Sequence, residues 1–302
     1  MATSANFPFG VFCAVSGALC FSLAGLLMRW ITLDPWEIVF WRCVFGAVAL
    51  GFFLAVRHQG RVLAAVIATG RAGLFSGAAL AYMTSAYVIA LNATLVANVV
   101  ACLAIAPFLT ALIGWIVLRE RIGLVTWFGM VLALAGILMI VAQSMGGEGW
   151  LGIVLALTIA ICYAGYLVTI RRAKSVDMLP ATLIAVVIGG IVSLPLGLPF
   201  DITWQALPFL IVFGVVQQAS GLALVTIASR HVPVAPLSLI MLIESVGGVV
   251  WAWLGAGEAP VGLTLGGVIA VLIAVIANAL YGARQGWRAG RGLQAERGGT
   301  RP

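Results

Sequence analysis

Long apolar stretches dominate this chain and decide the solvent in which it can fold. A helix needs roughly 18 or more mostly apolar residues to cross about 30 Å of hydrocarbon, and the chain contains about ten such stretches. They cover residues 8–29, 36–56, 72–91, 94–118, 122–142, 151–170, 180–198, 206–228, 235–255 and 260–282. Runs such as GVIAVLIAVIANAL lack the apolar and polar alternation of membrane β-strands. We therefore predict an all-α integral membrane protein with ten transmembrane helices.

The few charges are distributed unevenly, and this predicts the orientation. Charged residues make up 8% of the chain, with 16 Lys and Arg in total. With a cytoplasmic N-terminus, the cytoplasmic segments hold Arg57, Arg61, Arg71, Arg119, Arg121, Arg171, Arg172, Lys174, Arg230, Arg284, Arg288, Arg291, Arg297 and Arg301. The outer loops then carry Asp34, Glu148, Asp201 and Glu258. Because cytoplasmic loops are enriched in Lys and Arg, we expect both termini to be cytoplasmic. The net charge of +7 is a topology signal, and we expect no nucleic-acid partner.

An internal repeat organises the chain. WIVLRERI from Trp115 resembles WLGAGEAP from Trp253 at an offset of 138 residues, and CFSLAGLLMR from Cys20 resembles CYAGYLVTIR from Cys162 at an offset of 142. We predict two five-helix repeats, residues 1–143 and 144–283, and a disordered basic cytoplasmic tail, 284–302. Because five is odd, the second repeat enters the membrane from the opposite side, which makes the pair an inverted repeat.

Several motifs resemble those of one transporter family. They are DPWEIVFWR, APFLTALIGWIVLRERI, GMVLALAGILMI and LIESVGGVVWAWLGAGEAP. With them the chain resembles the EamA family of the drug/metabolite transporter superfamily, and within it the aromatic amino-acid exporters. The resemblance implies a ten-helix inverted repeat that moves small polar metabolites through a central cavity. Ser245 stands where the family usually has proline, so we expect a less kinked ninth helix.

Two ionisable residues lie inside predicted spans, and both are candidates for substrate binding. Each costs at least ~2.5 to 3.5 kcal/mol at the bilayer centre, so such residues usually face a cavity or a partner. Arg42 lies ~9 Å of helix below the outer end of its span. Glu244 lies nearer the middle, and its repeat counterpart is Ala106, so this charge belongs to one half only. Together they could hold the carboxylate and the ammonium of a zwitterion. A structural role remains open for both, and for Arg42 it is favoured because a residue near the interface can snorkel.

Aromatic and polar residues of other spans are candidates for the cavity wall. Buried tyrosine hydroxyls and amides need partners in lipid and therefore turn inward. The wall candidates are Tyr82, Tyr163, Trp41, Asn98 and Gln217, followed by Tyr87, Tyr166 and Gln218, with Tyr82 and Tyr163 ranked first. The gating or hinge candidates are Pro107, Pro236, Glu120 and Glu258, the two glutamates being helix-end residues suited to ion pairing or capping. Packing is the alternative role for each of them.

These features predict a transporter. We expect a bacterial inner-membrane exporter of amino acids or similar metabolites that works by alternating access between its two halves. No sequence resembles an ATP-binding loop, so the substrate gradient or protons supply the energy, and Glu244 is the best proton carrier. A cationic-drug exporter is the main alternative, and a channel or scaffold protein is an alternative of another class. The five cysteines show no metal-site spacing, and no catalytic Ser/His or paired-Asp arrangement lies in the spans, so we expect no cofactor, no metal and no enzyme activity.

Overall fold

A computed structural model of the chain describes residues 7–93, 99, 102–103, 105–119, 123–142, 150–173 and 176–256, with scattered positions between 265 and 281. All regular secondary structure in these residues is helical, as predicted. The helices are α1 (Phe7–Ser22), α2 (Ala24–Trp30), α3 (Pro35–Arg57), α4 (Val62–Ala68), α5 (Gly70–Ala93), α6 (Ala106–Leu118), α7 (Leu124–Ala142), α8 (Trp150–Arg172), α9 (Leu179–Ser193), α10 (Leu207–Val212), the π-helix π1 (Phe213–Ser220), α11 (Gly221–His231), α12 (Val234–Ile240) and α13 (Ile243–Ala256).

Five helical segments are long and apolar enough to cross a membrane. They are Phe7–Trp30, Pro35–Arg57, Gly70–Ala93, Trp150–Arg172 and Leu207–His231. Shorter apolar helices cover Ala106–Leu118, Leu124–Gly136, Leu179–Ser193 and Val246–Gly255. The chain is therefore a multi-pass membrane protein, while the count of ten spans stays a prediction. Most of the predicted last span, 260–282, and the predicted tail lie outside the described residues.

Local sequence signals explain where α3 begins and ends. The Asp34 side chain accepts a hydrogen bond of 2.8 Å from the Trp36 backbone N–H, and Pro35 occupies the first turn. Both features are typical of a helix start, because the first N–H groups lack partners within the helix. After Arg57 the chain turns through Gln59 and Gly60, which both have positive φ values. These caps fix the ends of the helix that carries Arg42.

Three of the predicted spans are not uniform α-helices. The first is interrupted at Leu23, between α1 and α2. The ninth is interrupted at Met241 and Leu242, between α12 and α13, and the expected effect of Ser245 on its kink stays a prediction. The eighth contains π1, a form that recurs at functional sites. In the first half, α6 likewise begins only after a turn at Ile105, one residue before the counterpart of Glu244.

The packing of the helices is reciprocal between the two repeats. The first helix of the first repeat, α1, packs against α11, the third of the second repeat. In the same way α8, the first of the second repeat, packs against α5, the third of the first. Exchanging the two halves therefore reproduces the same contacts, as expected for two copies related by a twofold axis.

The equivalent helices α3 and α9 pack against each other in opposite directions. Glu37, near the start of α3, accepts a hydrogen bond from the backbone N–H of Asp201, beyond the end of α9. Arg57, at the end of α3, contacts Asp177, just before the start of α9. Between these ends, Cys43 lies against Gly189. Equivalent helices that run antiparallel are what an inverted repeat requires.

Candidate substrate-binding site

Arg42 is buried at the junction of three helical segments. Its side chain is 1% exposed, so the guanidinium points into the bundle and does not snorkel to the surface. An Nη2–H group donates to the carbonyl of Thr84 on α5, and the guanidinium carbon lies 5.0 Å from the centre of the Phe213 ring on π1. The Nε–H has no hydrogen-bond partner among the described residues. Because the guanidinium is held by contacts on two sides while its Nε–H has no partner among the described residues, it is suited to bind an anionic group.

The close approach of π1 to α3 depends on a glycine. A Cβ atom at Gly214 would lie 2.7 Å from the Arg42 carbonyl oxygen and 2.6 Å from Cβ of Phe45. Only glycine allows the two backbones to come this near. The contact brings Phe213, the residue before Gly214, over the guanidinium of Arg42.

Glu244 lies in the first turn of α13, directly after the interruption of the ninth span. The Tyr87 hydroxyl on α5 is placed to donate a hydrogen bond to its carboxylate. The N-terminus of a helix carries a partial positive charge, which also favours a carboxylate at this position. Arg42 and Glu244 form no direct ion pair in the described structure, and Tyr87 interacts electrostatically with both. The two charges are therefore separate from each other, and the Tyr87 hydroxyl interacts with both.

Tyr163 completes this group from α8. Its hydroxyl is buried without a hydrogen-bond partner among the described residues, and it lies within electrostatic range of Glu244. We call Arg42, Tyr87, Tyr163 and Glu244 the central polar cluster. Arg42 and Tyr87 come from the first repeat and Tyr163 and Glu244 from the second, so the cluster lies between the two halves.

Two further wall candidates, Tyr82 and Trp41, make their contacts with residues outside the central polar cluster. Tyr82 is 41% exposed, and its hydroxyl lies 2.6 Å from Oγ1 of Thr158 on α8. Trp41 packs against Phe40, Phe45 and Phe200 and lies near the Glu37 carboxylate.

Gln217 is buried on π1, and its carbonyl oxygen has no hydrogen-bond partner in the described part of the chain. The neighbouring Gln218 is also buried, with its amide nitrogen 3.9 Å from Sγ of Cys43 on α3. These amides pack π1 onto the helix that carries Arg42.

Two of the four gating or hinge candidates, Pro107 and Pro236, lie in the described residues. Pro107 is buried in the first turn of α6, and Pro236 lies near the start of α12, five residues before the interruption at Met241. Proline is well tolerated at helix starts, so neither residue kinks a helix from its interior. Asn98, Glu120 and Glu258 lie outside the described residues. No group of His, Cys, Asp or Glu that could hold a metal ion occurs in the described part of the chain.

Tyr87 belongs to the central polar cluster, whereas the sequence ranked Tyr82 and Tyr163 first. Ser76, Thr84 and Tyr87 lie on one face of α5 at helical spacing, whereas Tyr82 lies on another face. This polar face is the sequence signal that favours Tyr87 as a residue of the site. The choice between the two tyrosines needs the packing partner of each face, which one helix does not reveal.

The comparisons with known proteins agree with this architecture. The family described as the EamA-like transporter family matches residues 8–142 and again residues 150–280. The chain belongs to this family. A solved structure described only as "Crystal structure of protein" has a TM-score of 0.75 at 17% identity, covering 92% of this chain and 99% of that one. At this identity the likeness shows the fold alone. No curated protein matches the chain in sequence.

Membership in the EamA family places the chain among small-molecule transporters of the drug/metabolite transporter superfamily. Its two matches correspond to two copies of one unit, in accord with the reciprocal packing. The family therefore points to a transport protein and not to an enzyme.

Proposed function

We propose that this EamA-family transporter exports amino acids or similar small metabolites across the bacterial inner membrane by alternating access. The observation that carries the proposal is the central polar cluster, in which the buried guanidinium of Arg42 and the partly buried carboxylate of Glu244, from opposite halves, both interact with Tyr87. We further propose ten spans with both termini cytoplasmic, from the distribution of Lys and Arg.

The chemistry of the cluster is complementary to a zwitterion. The unpartnered Nε–H of Arg42 can receive a substrate carboxylate, and Glu244 can receive an ammonium. The aromatic faces of Tyr87 and Tyr163 can cover the apolar part of an amino acid while their hydroxyls supply polar contacts. Because Arg42 and Glu244 do not pair with each other, neither group has to be released before a substrate binds.

The fold supplies the means of movement. Inverted repeats give two related conformations, each open to one side of the membrane. The interruption before Glu244 and the turn before Ala106 lie within two residues of equivalent positions in the two repeats. Such broken helices can change their angle at the substrate site without unfolding a full span. Energy comes from the substrate gradient or from protons carried by Glu244.

A cationic-drug exporter is the second candidate, and one observation favours it. Arg42 already donates to Thr84 and stacks on Phe213, so its charge can serve the architecture alone. Glu244 with Tyr87 and Tyr163 would then form an acidic, aromatic site for an organic cation. The two candidates differ in whether Arg42 is needed for substrate recognition.

The deciding experiment is efflux from proteoliposomes loaded with a panel of amino acids, cationic drugs and nucleotide-sugars. We expect at least one amino acid to leave faster than from protein-free vesicles, and movement of drugs without any amino acid would overturn the proposal. Glu244→Gln measured over a pH series then tests coupling. Loss of the pH response would indicate a proton carrier, and unchanged transport with an unchanged pH response would exclude Glu244 from both roles.

A further inference from the structure

A cluster of charges at one end of the bundle serves no part of the proposed substrate site. Its centre is Asp177, just before α9, whose Oδ1 accepts a hydrogen bond of 3.2 Å from the Leu179 backbone N–H. This bond fixes the carboxylate at the start of its own helix. Three basic side chains surround it: Arg57 Nε at 3.1 Å, His58 Nε2 at 3.5 Å and Arg230 Nη1 at 3.8 Å.

The cluster joins helix ends from both repeats. Arg57 and His58 lie at the end of α3 in the first repeat, whereas Asp177 and Arg230 belong to the second. Arg171, at the end of α8, extends the connection by donating to the backbone carbonyls of Ser229 and Arg230 at 3.0 and 3.1 Å. The ends of α3, α8 and α11 and the start of α9 are thus tied together around one carboxylate.

The opposite end of the same helix pair is built from different residues. There Glu37 accepts a hydrogen bond of 3.0 Å from the neutral backbone N–H of Asp201. At the repeat offset of 142, Asp177 corresponds to Pro35 and Arg57 to Pro199, so the repeat does not reproduce the contact between these two charges.

We propose that Asp177, Arg57, His58 and Arg230 form an ionic lock that stabilises the conformation closed at their end of the bundle. The distribution of Lys and Arg puts this end on the cytoplasmic side. An inverted repeat alone gives two conformations of similar free energy, and a tie at this end shifts the population toward closure there. Opening that end separates α3 from the start of α9 and must break the lock. The inference rests on the proposed alternating access.

The test measures conformation without transport. Nitroxide labels are placed at the exposed positions Arg61, on the first repeat, and Arg172, on the second, after the five cysteines are replaced by alanine. Electron-electron resonance then gives the distribution of distances across the lock in the full chain. Asp177→Asn removes the charge but keeps a side-chain oxygen for the Leu179 N–H. Asp201→Asn is the matched control at the other end.

We expect Asp177→Asn to increase the population with the longer distance about five-fold, since partly exposed ion pairs are individually weak but act here as a network. Asp201→Asn should leave the distribution unchanged. The single variant Asp177→Arg should lower the population with the short distance. Adding Arg57→Asp, which exchanges the two charges, should restore part of that population. In the labelled protein with Asp177 intact, raising the salt concentration should also increase the population with the longer distance, because salt screens exposed charges.

An unchanged distribution in both Asp177→Asn and high salt would overturn the lock. The salt series needs no substitution at Asp177, so it decides the matter even where that variant folds poorly. A shift in distances together with no amino-acid efflux would support the ionic lock and rule out amino acids as the substrate. The two failures are therefore distinguishable.

Discussion

At the scale of single residues, the proposed site depends on how the buried charge of Arg42 is accommodated. Burying a guanidinium is costly unless its donors are satisfied and its charge is balanced. For Arg42 the Thr84 carbonyl and the Phe213 ring meet part of this requirement. The unpartnered Nε–H is the part that a substrate carboxylate would satisfy. In the proposed function, substrate recognition and stability therefore use different faces of the same side chain.

The hydroxyl of Tyr87 gives a direct test at this scale. Tyr87→Phe keeps the ring but removes the donor to Glu244, and a hydrogen bond to a charged group contributes about 1.5 to 3 kcal/mol. We expect amino-acid efflux from proteoliposomes to fall about ten-fold or more. Tyr82→Phe should cost less, because its hydroxyl binds Thr158 away from the central polar cluster. A larger loss for Tyr82→Phe would favour the ranking made from the sequence over the geometry.

At the scale of helices, the interruptions are held by specific contacts. The Trp251 indole N–H on α13 donates to the Ser22 hydroxyl at 2.8 Å, and Ser22 is the last residue of α1. Gly247 on α13 packs directly against the same serine. The helix that carries Glu244 is thus anchored to the break in the first span.

Two neighbouring glycines on α13 test this anchor. A Cβ atom at Gly247 would lie 2.6 Å from Cβ of Ser22, whereas one at Gly248 would meet nothing within 4 Å. Overpacking of this kind costs about 1 to 3 kcal/mol. We expect Gly247→Ala to lower the melting temperature of the purified protein by about 3 °C or more. Gly248→Ala should leave it equal or slightly higher, because alanine favours helix. Equal melting temperatures for both variants would show that the anchor is not close-packed.

Helix type and approximate extent could be predicted from the sequence, but the interruptions could not. Apolar length is a property of each segment, so α3, α5 and α8 fall where the runs predict them. The break at Leu23 has no proline or charge within five residues to mark it, and the break at Met241 lies between Pro236 and Glu244, neither of which predicts a break by itself. They depend on tertiary contacts such as Trp251 with Ser22, which no single segment contains.

At the scale of the whole molecule, asymmetry within a symmetric scaffold is the recurring feature. The repeat predicts which helices correspond, and the reciprocal packing of α1 with α11 and α5 with α8 agrees with it. The same comparison singled out Glu244, because its counterpart Ala106 is uncharged, whereas Arg42 was a candidate as an ionisable residue within a predicted span. It could not identify Asp177 or Tyr87, since their roles depend on which side chains face them from other helices.

In the proposed function, Arg42 and Glu244 together recognise a zwitterion. The most direct measurement is efflux of three matched compounds from loaded proteoliposomes, for example phenylalanine, phenethylamine and 3-phenylpropanoate. The amine lacks the carboxylate and the acid lacks the ammonium. The comparison is repeated with Arg42→Gln, Glu244→Gln and the control Glu37→Gln, which neutralises another buried carboxylate outside the cluster.

We expect the unmutated protein to prefer the amino acid over both analogues by about ten-fold or more, as charge-assisted hydrogen bonds would give. Arg42→Gln should abolish the preference for phenylalanine over the amine. Glu244→Gln should abolish its preference over the acid. The control Glu37→Gln should preserve both preferences. Equal efflux of phenylalanine and phenethylamine from the unmutated protein, with no effect of Arg42→Gln on that ratio, would contradict the claim and favour a cation exporter.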